Sequence, residues 1–391
     1  MALTPLALDR LRTAAEARIE AVVSLAGRIC EVPAPTGQEF ERARLVASLW
    51  QERGYTPEID AVGNVYVRRH GARRERPLLM LLAHIDTVFP AATPIVVRRQ
   101  GETLHGPGIG DNSVSVAAML QTFDLLDALQ IETATDLLAV ANVGEEGLGN
   151  LLGARTAVER YRADLGAVLV IDGGLGHVTH GAVGSKRWRI TVHGPGGHSY
   201  GSFGTPSAIH GLGRIIAALA DLQVPTAPKT TFNVGVIEGG TSVNTIAAEA
   251  SALLDLRSSD TQALNTLAQQ ARLLIEQRAG RGLKTTIEIL GERPAGERRR
   301  DDPLVQLAGE TLHWLGIEPR YGSSSTDANI PISLNIPTVC VGVTRGEHAH
   351  TIQEFFQIPP LRQGLAQVAR LCIEASQLLD KPAGSGTRKN G

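Results

Sequence analysis

Leu78-Leu79-Met80-Leu81-Leu82-Ala83-His84-Ile85-Asp86 is a run of six apolar residues that stops on an imidazole and a carboxylate. A strand that is apolar on both faces must be covered on both, as in a sheet sandwiched between helices. Three more stretches read the same way. Leu137–Val143 runs into Gly144-Glu145-Glu146, Ala167–Ile171 into Asp172-Gly173-Gly174, and Thr338–Val343 into a loop carrying His348-Ala349-His350. Between the first two strands a helix is predicted from about Asn112, with Val116, Met119, Leu120 and Phe123 on one face. Strands alternating with helices define an α/β layered domain built on a mixed sheet with helices on both faces.

Upstream, an amphipathic helix is expected to about Cys30, then a break at Val32-Pro33-Ala34-Pro35. Thr36-Gly37-Gln38-Glu39 has the capping-box pattern and predicts a second helix to about Arg53. Downstream, the rhythm changes between Gly184 and Gly291. Strand Lys186–His193, helix Pro206–Leu222, strands Thr231–Glu238 and Ala247–Arg257, helix Thr261–Ala279 and strand Lys284–Leu290 form the ferredoxin-like β-α-β-β-α-β order. The expected domains are therefore a discontinuous one, 1–183 with 292–391, and an inserted one, 184–291. Gly291–Pro303, with Arg298-Arg299-Arg300 beside Asp301-Asp302, reads as a solvated junction, since charge runs usually face water. The tail from Pro382 reads as disordered. No internal repeat is present.

Composition narrows the function. The 391 residues carry a formal charge of −2, with 43% hydrophobic and 20% charged residues, the profile of an ordinary soluble globular protein. A near-neutral chain with no basic stripe and only 4% aromatic residues offers nucleic acid neither an electrostatic footprint nor stacking platforms. Cys30, Cys340 and Cys372 are too widely spaced for a disulfide framework or a zinc finger. Asp9, Arg10, Arg12, Glu16, Arg18 and Glu20 interrupt any secretory apolar region, and no apolar run could span a bilayer. A cytoplasmic enzyme or binding protein is the expectation.

The strand ends carry the chemistry. In open α/β sheets, ligands bind at the carboxyl ends of the strands. There the sequence places His84, Asp86, Glu145, Glu146, Asp172 and the two histidines of His348-Ala349-His350, and Asp111 joins them at the start of the Val116 helix. Asp86, Asp111, Glu145, Glu146 and Asp172 would repel one another, and the chain's five lysines lie outside all these segments. Divalent metal ions are the simplest counter-charge. Mixed imidazole and carboxylate ligands suit zinc, with manganese and cobalt as alternatives. Gly197-His198-Ser199-Tyr200-Gly201 formally matches the nucleophile elbow G-x-S-x-G, but the predicted helix begins several residues too late for one.

Ala83-His84-Ile85-Asp86-Thr87-Val88, Gly108-Ile109-Gly110-Asp111-Asn112-Ser113, Gly144-Glu145-Glu146-Gly147, Ile171-Asp172-Gly173-Gly174 and His350-Thr351-Ile352-Gln353-Glu354-Phe355 together resemble the M20 family of dinuclear zinc peptidases. The resemblance implies that His84 and Asp172 hold one metal, Glu146 and His350 the other, and that Asp111 bridges both. It makes Asp86 the orienting partner of the metal histidine and Glu145 the general base. His350 is preferred to His348 as ligand because its His-Thr-x-x-Glu spacing matches. The inserted domain becomes a lid and homodimerisation module, in which His198 and Asn244 assist substrate binding and oxyanion stabilisation. Arg257, and Ser325 and Thr326 in the Ser324–Asp327 loop, match substrate-binding positions more loosely.

Asp172 with Gly173-Gly174 most resembles the peptidase T-like, tripeptide aminopeptidase branch; the other branches more usually carry Glu there. The implied substrate is a short peptide. A carboxypeptidase or N-acyl-amino-acid amidohydrolase is the rival enzyme, and a binding protein retaining the fold the non-enzyme rival.

Overall fold

The computed structural model describes residues 3–380, so the tail from Pro382 lies outside the described residues. Two compact units divide the chain at Gly181/Ala182 and Gly296/Glu297.

The first unit is built on a mixed sheet. Its central strand, Leu78–His84, is buried at all seven residues. It pairs in parallel with Leu137–Asn142 on one side and Leu165–Ile171 on the other. Thr338–Val341 extends the parallel part beyond Leu165–Ile171. Val65–Arg69 and His177–Ala182 flank these as antiparallel neighbours, and the short strand Glu58–Ile59 lies beyond Val65–Arg69. The double coverage read from the apolar runs follows from the helices. Helices Val114–Ala128, Ile19–Cys30 and Leu361–Asp380 share one core with Leu79, Leu81 and Ala83. Helix Leu152–Tyr161 instead contacts strand Leu137–Asn142 and buries Ala154, Ala157 and Val158 outside that core, where the alternate strand residues Met80 and Leu82 are buried too. Among the described residues, no helix is long and apolar enough to cross a membrane.

Two local expectations fail. The N-terminal helix is two helices, Pro5–Glu16 and Ile19–Cys30, broken at Ala17–Arg18. Arg18 leaves helical geometry (φ −104°, ψ 1°) and its guanidinium donates to the Asp124 carbonyl, so the break serves a tertiary contact and carries no Gly or Pro signal. The capping box is not made either. Helix Phe40–Gln51 has no side-chain cap. Thr36 Oγ1 instead donates to Asp86 Oδ2 at 2.9 Å, and Glu39 Oε1 accepts from the N–H groups of Gly37 (2.8 Å) and Gly144 (3.2 Å).

The second unit has strands Gly184–His193, Thr230–Gly239, Glu249–Ser258 and Lys284–Arg293, with helices Ala208–Ala220 and Thr261–Arg278. The strand from Glu249 lies between those from Thr230 and Gly184, and the strand from Gly184 also pairs with that from Lys284; every pairing is antiparallel. This is the ferredoxin-like order. Trp188, Ile190, Val192, Leu212, Ile215, Leu254, Leu256, Leu267 and Ile275 belong to a core of its own. The last strand continues to Arg293 through a register shift between Ile289 and Gly291, past its expected end at Leu290.

The junction is less solvated than expected. Arg299 and Asp301 pair in the open, but Arg298 is largely buried against Asp302, whose carboxylate also caps helix Pro303–Trp314.

Candidate metal centre

Parallel strands that start together also end together, and here three adjacent ends supply polar residues to one edge. His84 closes the central strand and lies opposite Asn142 on its neighbour. Glu145 and Glu146 follow Asn142, and Asp172 follows Ile171. Asp111 arrives differently from expectation. Ile109–Ser113 is a wide turn in which Asp111 (φ −119°, ψ 89°) and Asn112 are not helical, and the α-helix starts only at Val114. The Asp111–Asn112 peptide is cis. Asp111 is therefore presented by a loop rather than by a helix N-terminus.

Its carboxylate joins two histidines. His84 Nε2 lies 3.0 Å from Asp111 Oδ1, and His350 Nε2 lies 3.2 Å from Oδ2 and 2.9 Å from Glu146 Oε1. One group of donor atoms within 4.8 Å of one another comprises His84, Asp111 and Asp172; a second comprises Asp111, Glu146 and His350. Asp111 is common to both, as a bridging ligand would be. His84, Glu145 and Glu146 form a third such group. His348 joins none of these groups, and its ring packs against Phe355 at 6.0 Å.

The electrostatics show what this set lacks. Burial and the nearby Asp111 charge push Asp172 well above the usual carboxylate range and Glu146 up to about 7. Burial also disfavours charge on Asp111, but hydrogen bonds from His350 and His84 outweigh it and hold its pKa low. The Asp111 hydrogen bond drives His350 up to about 9. Carboxylates that resist ionising beside imidazoles that over-bind protons form a site short of positive charge. Oxygen and nitrogen donors in two triads sharing one carboxylate fit a pair of divalent ions.

Asp86 is fully buried and organises the surroundings. Its Oδ1 accepts the Glu145 N–H (2.9 Å) and its Oδ2 the Glu146 N–H (2.8 Å), with the Thr36 hydroxyl on Oδ2 as well. His84 Nδ1 is 3.5 Å from Asp86 Oδ1 and 3.2 Å from the Asp86 carbonyl. The next two N–H groups upstream are held by side chains too: Val143 donates to Asn64 Oδ1 (3.1 Å) and Gly144 to Glu39 Oε1 (3.2 Å). Neither Asn64 nor Glu39 carries a sequence signal for this role, since Glu39 equally completes a capping-box pattern.

The Ser324–Asp327 loop is held by hydrogen bonds to its own side chains. Thr326 Oγ1 accepts the Ala328 N–H at 3.3 Å, a turn-forming bond. Its neighbour Asp327 is buried, accepts from Asn142 Nδ2 at 2.7 Å, and is pushed up to about 7 by burial and the Glu145 charge. Ser325 precedes these two, just beyond strand Arg320–Ser324.

The remaining candidates lie in the second unit. His198 ends a two-residue strand paired with Thr245–Ile246, and the Ser199 N–H donates to the Asn244 carbonyl at 2.9 Å, so the His198 and Asn244 loops adjoin. His198 Nδ1 accepts the N–H groups of Tyr200 (3.3 Å) and Gly201 (3.2 Å). A neutral imidazole accepting through Nδ1 carries its proton on Nε2 and presents a donor there. Asn244 Oδ1 accepts from Ser242 Oγ, and Arg257 Nε donates to Asp255 Oδ2 at 2.6 Å. After Ser199 the next helix begins only at Ala208, so no nucleophile elbow exists.

Buried carboxylates and histidines converging at strand ends of an α/β sheet are the equipment of a metallohydrolase. Residues 180–282 match the family profile described as peptidase dimerisation domain, and residues 64–176 match peptidase family M28. A succinyl-diaminopimelate desuccinylase of Corynebacterium glutamicum is 26% identical over 345 residues, covering 85% of this chain and 90% of that protein. The fold is that of a tripeptidase from Staphylococcus aureus (TM-score 0.79, 22% identity, 92% of this chain and 99% of that one). It is also that of the YXEP protein of Bacillus subtilis, described as a dinuclear metal binding peptidase from the M20 family (TM-score 0.68, 18% identity, 93% and 99%). The chain carries a peptidase dimerisation domain and resembles an M20 peptidase in fold, and it is an enzyme acting on peptide or amide bonds.

Proposed function

We propose that this enzyme hydrolyses short peptides from a free amino end, using two divalent ions, with zinc the first choice. The carrying observation is the pair Glu145 and Glu146: adjacent, buried, and fixed through their N–H groups by one carboxylate, Asp86. In this reading Glu146 and His350 would hold one ion, His84 and Asp172 the other, and Asp111 would be shared. Ions held there would polarise the scissile carbonyl and acidify the attacking water.

Glu145 takes the water's proton and passes it to the departing amine nitrogen. Asp86 keeps the His84 ring and the Glu145 backbone in one frame. His198, with its proton on Nε2, donates to the oxygen on which negative charge develops. Asn244, Arg257, Ser325 and Thr326 contribute to holding the substrate. The inserted unit would pair two copies, so that His198 serves its partner's site. Three buried free thiols suit a reducing, cytoplasmic setting.

The likeness to a tripeptidase fold and the Asp at position 172 favour the aminopeptidase direction. The desuccinylase relative favours the second reading, an N-acyl-amino-acid amidohydrolase. Free, N-acetylated and C-amidated di- and tripeptides, assayed with zinc, manganese or cobalt, decide between them. An unblocked tripeptide outperforming its N-acetylated form supports the first; the reverse order replaces it with the second. Undiminished turnover by verified metal-free protein would overturn both.

A further inference from the structure

Glu354 lies four residues beyond His350, and the mechanism above does not use it. Its side chain is buried. Oε2 accepts the Gly108 N–H at 2.8 Å, and Oε1 accepts those of Gly110 and Asp111, both at 2.7 Å. Its own carbonyl accepts the Gly106 N–H at 3.0 Å. Immediately afterwards, strand Phe355–Gln357 pairs with Thr103–His105, which leads into the same loop. One residue therefore receives four backbone hydrogen bonds from the segment Gly106–Asp111.

The loop is shaped for this approach. A Cβ at Gly110 would sit 3.1 Å from Glu354 Oε1, and Gly108 has φ +78°, a conformation L side chains rarely adopt. Asp111 is not helical, so no helical bonding fixes its orientation. The Glu354 carboxylate supplies that constraint, and its backbone connects within four residues to His350, which faces the other side of Asp111.

We propose that Glu354 is a positioning residue that sets the Asp111 carboxylate between the two ions and so determines how tightly they bind. The proposal rests on the two-metal reading above. It is tested by titrating metal-stripped protein with Zn2+ against a chromophoric chelator, with circular dichroism reporting the folded fraction. Glu354→Ala should weaken zinc binding about 10- to 100-fold, as loss of a ligand's supporting partner does. Glu354→Gln retains one acceptor oxygen but turns an amide N–H toward the Gly108 N–H, and should fall between Ala and parent.

The control is Leu104→Ala, a buried residue opposite Phe356 in the same small sheet, which should lower stability and keep parental affinity. Parental affinity in folded Glu354→Ala would overturn the proposal, as would an equal loss in Leu104→Ala. Should the Ala variant not fold, parental affinity in Glu354→Gln would overturn it instead. A parent chain that binds no divalent ion would sink the two-metal reading together with this one.

Discussion

Asp86 accepts the backbone N–H of Glu145 at 2.9 Å, which ties the proposed base to the residue that faces the Nδ1 of His84, a proposed metal ligand. The same carboxylate also takes the Glu146 N–H and the Thr36 hydroxyl, so both of its oxygens are occupied. Asp86→Asn exchanges one acceptor oxygen for a donor that must face a backbone N–H. We expect kcat to fall by at least about 100-fold, with weaker metal binding, because ligand and base move together. Unchanged kcat with full metal content would show that the clamp is not needed.

Base and ligand should separate cleanly at the adjacent pair. Glu145→Gln keeps the shape but cannot accept a proton, so turnover should drop by about 100-fold or more while metal content stays near parental. Glu146→Ala removes a member of the Asp111–His350 group and should lower metal occupancy itself. Metal analysis of both variants beside their kcat values checks the assignment. Equal metal loss in the two would show the roles to be wrongly divided.

Stability has a sharp test at Gly364, in helix Leu361–Asp380. Gly to Ala in a helix interior normally gains up to about 1 kcal/mol. Here the added Cβ would lie 1.8 Å from the Val343 carbonyl oxygen, at the head of the loop that carries His350. Backbone cannot yield as a flexible side chain does, so overpacking dominates and a net loss of about 1–3 kcal/mol is expected. Chemical denaturation of Gly364→Ala measures it, and a more stable variant would contradict the packing.

What was legible in the sequence, and what was not, divides along physical lines. Leu78–His84 could be read because a strand covered on both faces is apolar throughout, and its polar terminus then marks the sheet edge. The motif around Asp111 predicts a helix start where the structure has a wide turn, because both use the same small polar residues. Thr36 and Glu39 look like a capping box because the same oxygen acceptors serve helix N–H groups or distant loops. Only the fold brings Gly144 to Glu39 across 105 residues, and Gly108 to Glu354 across 246. The break at Ala17–Arg18 left no trace, as it answers to Asp124, more than a hundred residues away.

The assembly can be tested through His198. Its Nδ1 is occupied by the N–H groups of Tyr200 and Gly201, which leaves Nε2–H to donate. A donor aimed at a developing oxyanion is worth about 3 kcal/mol, so His198→Ala should cost on the order of 100-fold in kcat. Glu145→Gln should be inactive for its own reason. If His198 serves the partner's site, a mixed dimer of the two variants contains one site with an intact Glu145 that receives an intact imidazole. Random pairing makes half of the dimers mixed, so about a quarter of parental activity should return on mixing two nearly dead proteins. If His198 serves its own chain, every site in the mixture keeps one lesion and nothing returns. Absence of recovery in dimers shown to be mixed would refute the exchange between subunits.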